Sequence, residues 1–131
     1  MRIIVIGGTG LAEQVADALH RAGDEVTVIE IQPGREPALA KAGLRAVHGD
    51  PLVPSTLEAA GALRADVLVA CTQSDEDNLV ISLLAKKHFN VPRVIARVND
   101  PANDGLFTHS WGVDALVSPA TTLVSMIRQA N

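Results

Sequence analysis

Gly7, Gly8 and Gly10 crowd the turn that follows Ile3-Ile4-Val5-Ile6, and such crowding is one way a chain takes hold of a phosphate. The four aliphatic residues have strand character, and Leu11, Val15, Ala16 and Leu19 follow at helical spacing. Strand, tight glycine turn and helix make the opening of a dinucleotide-binding βαβ unit. Glycine lets the backbone turn sharply and lets a pyrophosphate come close, and the helix N-terminus then presents free N–H groups and a partial positive charge. Counted from Gly7, Thr9 stands where the second glycine of the fingerprint is expected, and Ala12 stands at the third. Ala12 still permits close helix–strand packing, whereas Thr9 brings a β-branched side chain into the phosphate's approach. Gly7, Gly8, Thr9, Gly10 and Leu11 are therefore the candidate phosphate turn.

Further polar residues stand where later strands should end. Glu30 closes the β-branched run Glu25–Glu30, 20 residues beyond Gly10. A carboxylate there accepts hydrogen bonds from ribose hydroxyls and repels a 2′-phosphate, favouring NAD(H) or another adenosine nucleotide over NADP, a preference that Arg35 would soften. Asp50 is a candidate for the adenine edge, with an Asp-Pro turn as the alternative. Thr72, just past the run 66–70, is a candidate partner for a ribose or phosphate, and Asp75 reads as the N-cap of the next helix. Cys71 reads as a small buried residue, with nothing near it in sequence to lower its pKa. Arg97 would clamp a phosphate with two N–H groups, or pair with Asp100 or a neighbouring subunit. His20, His48, His88 and His109 lack metal-ligand spacing, and no metal site is expected.

The elements that position these residues follow from pattern and punctuation. Strands are expected at 3–6, 25–30, 45–48, 66–70, 92–97 and 115–117. Helices are expected after Gly10, across 35–42, from Pro54 to about 61, over 75–89, in a short piece from Pro101, and over 119–129. Strands alternating with helices imply right-handed parallel crossovers. The expected fold is α/β: a Rossmann-like, doubly wound, six-stranded parallel sheet of strand order 3-2-1-4-5-6. Ligands bind such sheets beyond the carboxyl ends of the strands, where the order reverses.

Composition supports one domain of this kind. The 131 residues are 47% hydrophobic, with two Phe, one Trp and no Tyr, so Val, Leu, Ile and Ala must fill the core. Eleven basic against fifteen acidic residues give a net charge of −4, with no basic run, which argues against nucleic acid as a partner. A lone cysteine permits no internal disulfide and suits a reducing compartment. No apolar run approaches the length of a membrane span, so no direct membrane insertion is expected.

Gly7 and Gly10 in a second register resemble the Gly-Gly-Thr-Gly turn of extended short-chain dehydrogenases, which makes a small NAD-dependent oxidoreductase the alternative function. Those enzymes act through a Tyr-x-x-x-Lys pair, and without tyrosine that route is closed. Binding without catalysis is the expectation.

A more extensive resemblance emerges along the later strands. Leu83-Leu84-Ala85-Lys86, the run Val91-Pro92-Arg93-Val94-Ile95-Ala96-Arg97-Val98-Asn99-Asp100-Pro101, Ala70-Cys71-Thr72 with Asp75, Asn78 and Leu79, Gly49-Asp50, and Trp111-Gly112-Val113-Asp114 before Ser118-Pro119 together resemble the N-terminal lobe of RCK domains. Those domains regulate potassium conductance in Trk and Ktr uptake systems. The likeness covers essentially the whole chain. It implies a cytoplasmic regulatory subunit, held at the inner face of the cell membrane by a potassium-transporter pore subunit. Such a subunit senses NAD(H) or an adenine nucleotide (ATP, ADP or AMP) and assembles as a dimer or ring. By position, Gly7, Glu30, Asp50, Thr72 and Arg97 would line the site. Two departures stand out: Thr9 replaces a glycine usual in the family, and residues 1–131 form a single N-terminal lobe with the smaller C-terminal lobe absent. In the last helix, Leu123, Val124, Met126 and Ile127 form an apolar stripe, to be covered either by the chain's own sheet or by a second copy.

Overall fold

The computed structural model describes residues 1–7 and 10–129. β1 (Arg2–Ile6), β2 (Glu25–Glu30), β3 (Arg45–His48), β4 (Val67–Ala70), β5 (Arg93–Arg97) and β6 (Ala115–Val117) form one sheet in the order β3-β2-β1-β4-β5-β6. Every neighbouring pair is parallel. The expected strand order is thus the observed one, and it reverses between β1 and β4, where Ile6 lies beside Ala70.

Both faces of the sheet are covered, which is why its strands read as continuous aliphatic runs. Ile4, Ile6, Ile29, Leu57, Leu68, Ile81 and Val94 belong to one buried layer, and Ile3, Val5, Val26, Val28, Leu39 and Leu44 to the other. Alternation along β1 sends successive residues to opposite layers. The helices are α1 (Leu11–Arg21), α2 (Glu36–Lys41), α3 (Pro54–Ala59), α4 (Asp75–Leu83) and α5 (Pro119–Gln129). On α1 the fully buried residues are Ala12 and Ala16, small enough to bring the helix down onto β1; Leu11 is left exposed at its first turn.

One feature departs from the sequence pattern, and a second settles which of two expected arrangements holds within the chain. The helix expected over 75–89 ends its α-helical part at Leu83 and widens into a π turn over Leu84–His88. Lys86 on that turn donates to Pro92 O (3.0 Å) and to the Asp114 carboxylate (2.5 Å), which also accepts the Val94 N–H (2.7 Å). The second feature is α5. None of its described residues is buried, and Leu123, Val124, Met126 and Ile127 are 50–69% exposed. The chain's own sheet does not cover the apolar stripe.

Candidate nucleotide-binding cleft

The carboxyl ends of β1, β2, β4 and β5 enclose a cleft of about 530 Å³ at the point where strand order reverses. Its wall carries Gly10 and Leu11 from the first turn, Glu30 to Gln32 from β2, Cys71 to Ser74 after β4, Asp77 from α4 and Arg97 from β5.

Gly7 and Gly10 serve different ends in the turn. A Cβ on Gly7 (φ +152°) would lie 2.5 Å from the Cys71 carbonyl oxygen and 3.0 Å from Ala12 Cβ. Glycine is required there because β1, β4 and α1 converge. A Cβ on Gly10 (φ +53°) would meet nothing within 4 Å. Its backbone faces open space at the N-terminus of α1, where no described side chain caps the helix. Phosphate oxygens are accommodated by such a terminus. Gly8 and Thr9 lie outside the described residues.

Glu30 is fully buried although it ends a strand. One carboxylate oxygen, Oε1, accepts the Gln32 N–H at 2.9 Å. The other, Oε2, has no hydrogen-bond partner among the described residues and stands 3.7 Å from Arg35 Nε. The Arg35 guanidinium also pairs with Glu13 of α1. One cation is therefore shared by two carboxylates.

On the opposite wall a network centred on Asn78 is saturated with internal bonds. Thr72 is buried, and its hydroxyl donates to Asn78 Oδ1 (2.7 Å) while accepting the Ser74 N–H (3.2 Å). Asn78 Oδ1 also accepts the Thr72 N–H, and its Nδ2 donates to the carbonyls of Thr72 and Arg97, each at 3.0 Å. The cap of α4 is Ser74, whose Oγ accepts the Asp77 N–H; Asp75 does not fill the capping role the sequence suggested. The Asp75 carboxylate turns instead toward the loop after β5, accepting the N–H and side-chain amide of Asn99, the Asp100 N–H and the Asn103 amide, at 2.6–3.0 Å. Burial raises its pKa, but these bonds outweigh burial and hold it below the usual carboxylate range.

Arg97 reaches the cleft from β5. It does not pair with Asp100, whose carboxylate accepts the Ala102 N–H; its guanidinium approaches Cys71, and its Nε is buried without a hydrogen-bond partner among the described residues. Burial pushes the Cys71 thiol up, partly offset by Arg97, a neighbour that sequence distance concealed. Asp50 lies outside the cleft wall: its carboxylate closes a turn by accepting the Leu52 N–H at 2.9 Å. The sequence reading passed over Gln32, Gln73 and Asp77, whose one signal was their place just beyond β2 and β4. No group of three or more potential metal ligands occurs among the described residues.

The doubly wound sheet with its cleft at the reversal point is the Rossmann-like nucleotide-binding architecture. Within it, the chain belongs to the TrkA-N domain family, the N-terminal lobe of RCK regulators, which matches residues 3–119. The Trk system potassium uptake protein TrkA of Mycobacterium tuberculosis is 42% identical over 130 residues, covering 99% of this chain. The chain spans 59% of that relative's length. Among solved structures, GsuK bound to ADP is 28% identical with a TM-score of 0.75, covering 96% of this chain and 32% of that one. The Shewanella denitrificans Kef CTD in AMP-bound form is 25% identical with a TM-score of 0.78, over 96% of this chain and 77% of that one.

Proposed function

We propose that this chain is the nucleotide-sensing lobe of a regulatory subunit of a potassium-uptake system. In this reading an adenine nucleotide, NAD(H), ATP, ADP or AMP, occupies the cleft, and its presence is passed to a membrane pore subunit. The observation that carries the reading is Glu30 Oε2: a fully buried acceptor without a hydrogen-bond partner among the described residues, on the cleft wall where a ribose would lie. An unpaired buried acceptor is costly, and a ribose hydroxyl removes that cost. Phosphates then sit against Gly10 and the N-terminus of α1, with Arg97 on the far side supplying the cation. The names of the relatives, a potassium uptake protein and structures bound to ADP and AMP, point the same way.

No catalytic step is assigned. Ligand acts by preferring one arrangement of paired lobes, and it moves that equilibrium by no more than its differential affinity. Pairing falls to the uncovered α5: hiding an apolar side chain contributes about 1.5–3 kcal/mol each, before the cost of association. A second copy of the chain is the natural occupant. None of the described helices is long and apolar enough to cross a membrane, so contact with the bilayer goes through the pore subunit, at the cytoplasmic face.

Calorimetric titration of the chain with NAD, NADH, ATP, ADP and AMP, beside an assay for hydride transfer, tests this reading. Binding without turnover is expected. Reduction of cofactor with any substrate would instead reveal a small oxidoreductase, and silence across the panel at millimolar ligand would leave the cleft with no role in sensing.

A further inference from the structure

Glu30 Oε2 and Arg35 Nε are both buried and both without a hydrogen-bond partner among the described residues, and they face each other at 3.7 Å. That separation exceeds the roughly 2.7–3.2 Å of a good N–H···O bond. One atom is an acceptor and the other a donor. A hydroxyl is both at once, so one hydroxyl set between them, as the partly exposed Arg35 side chain draws back, satisfies the pair. The elements around it fix the two halves separately. Glu30 is held by β2 and by the Gln32 N–H, whereas Arg35 stands at the end of the exposed loop 31–34 and leans on Glu13 of α1.

We infer that Arg35 is a specificity-determining residue of the nucleotide cleft, reading a ribose hydroxyl of the adenosine end together with Glu30, so that the site selects ribonucleotides over deoxyribonucleotides. The inference rests on the nucleotide-binding reading above and adds a residue that does not itself line the cleft. Sites that hydrogen-bond a hydroxyl reject analogues lacking it, because their polar groups are then left unpaired. With the hydroxyl in place, Arg35 remains a donor to the ligand and is not expelled by it.

The test is a cycle in which one arm changes the ligand and the other changes the protein. ADP, 2′-deoxyADP and 3′-deoxyADP are titrated into the wild-type chain, Arg35→Met and Arg35→Lys, with thermal melts to establish that each variant is folded. In the wild type, removing one of the two hydroxyls should weaken binding at least tenfold. In Arg35→Met the same removal should cost at least threefold less than in the wild type, because only the Glu30 half of the hydroxyl's contact remains. Arg35→Lys keeps a cation but not the planar fork and should fall between them. An unchanged ratio in both variants, with ADP still bound and still weakened by Glu30→Gln, would overturn the role of Arg35 while leaving the cleft intact. Failure of the wild type to bind ADP or NADH would overturn both.

Discussion

The two walls of the cleft spend their polar groups in opposite ways. On the β4–β5 side, Thr72, Asn78, Asp75 and Asn99 satisfy one another through bonds of 2.6–3.2 Å. On the β2 side, Glu30 and Arg35 each keep a buried atom without a hydrogen-bond partner among the described residues. The network around Asn78 on the first wall is complete as it stands, and removing a member exposes its neighbours; Arg97 Nε is the buried atom on that side left without a hydrogen-bond partner among the described residues. The second gains most from an added molecule. Polar residues at the ends of neighbouring strands can thus serve either rigidity or recognition, and unmet hydrogen-bonding capacity separates the two.

The sharpest way to break this contrast is Asn78→Ala. It removes four bonds at once, to the Thr72 N–H, hydroxyl and carbonyl and to the Arg97 carbonyl, so a loss of about 3 kcal/mol in folding stability is expected by urea denaturation. A loss below about 1 kcal/mol would mean that the saturated wall is not what rigidifies the cleft. Next is Glu30→Gln, which should weaken ADP or NADH by about 2 kcal/mol, or roughly thirtyfold, in calorimetry. Its stability should change less than that of Asn78→Ala; the reverse ranking would exchange the roles of the walls.

Acid should distinguish the walls more gently. The Asp75 carboxyl titrates below its unfolded value near 3.9, so its stabilisation is present above that value and lost as pH falls through the folded one. Asp75→Asn should cost about 1–2 kcal/mol at pH 7. The gap to the wild type should narrow in melts taken toward pH 3; a constant gap would remove Asp75 from the acid response. The smallest effect is expected outside both walls. Asp50→Ala should leave nucleotide affinity within twofold, since its carboxylate already serves the Leu52 N–H, and a tenfold loss would draw Asp50 into the site.

The sheet was readable from the sequence because β-branched runs and Pro or Gly punctuation mark each strand, and parallel crossovers constrain their order. Glu30 was readable as well, since its distance from the glycine turn is set by the length of one helix. Asp75 was misleading: a carboxylate before a helix looks like a cap, and only the fold brings the Asn99 backbone to it. Thr72 stands at the cleft wall, but its hydroxyl is occupied by Asn78, six residues on and across a bend that no local pattern announces. Arg35 and Glu13 belong to different elements and meet only once β2 is laid beside β1. The stripe on α5 is equally amphipathic whether it packs at home or against another molecule, so sequence could not choose between them.

The close quarters around residue 7 also bear on how mutagenesis of this protein should be interpreted. Replacing that glycine with alanine drives a methyl group into the carbonyl of Cys71, prying two strands apart. Any defect in such a mutant is a wedge injury, whatever ligand the protein holds, and cannot count as proof of lost anion recognition. Informative lesions are those that leave the seam between these strands shut.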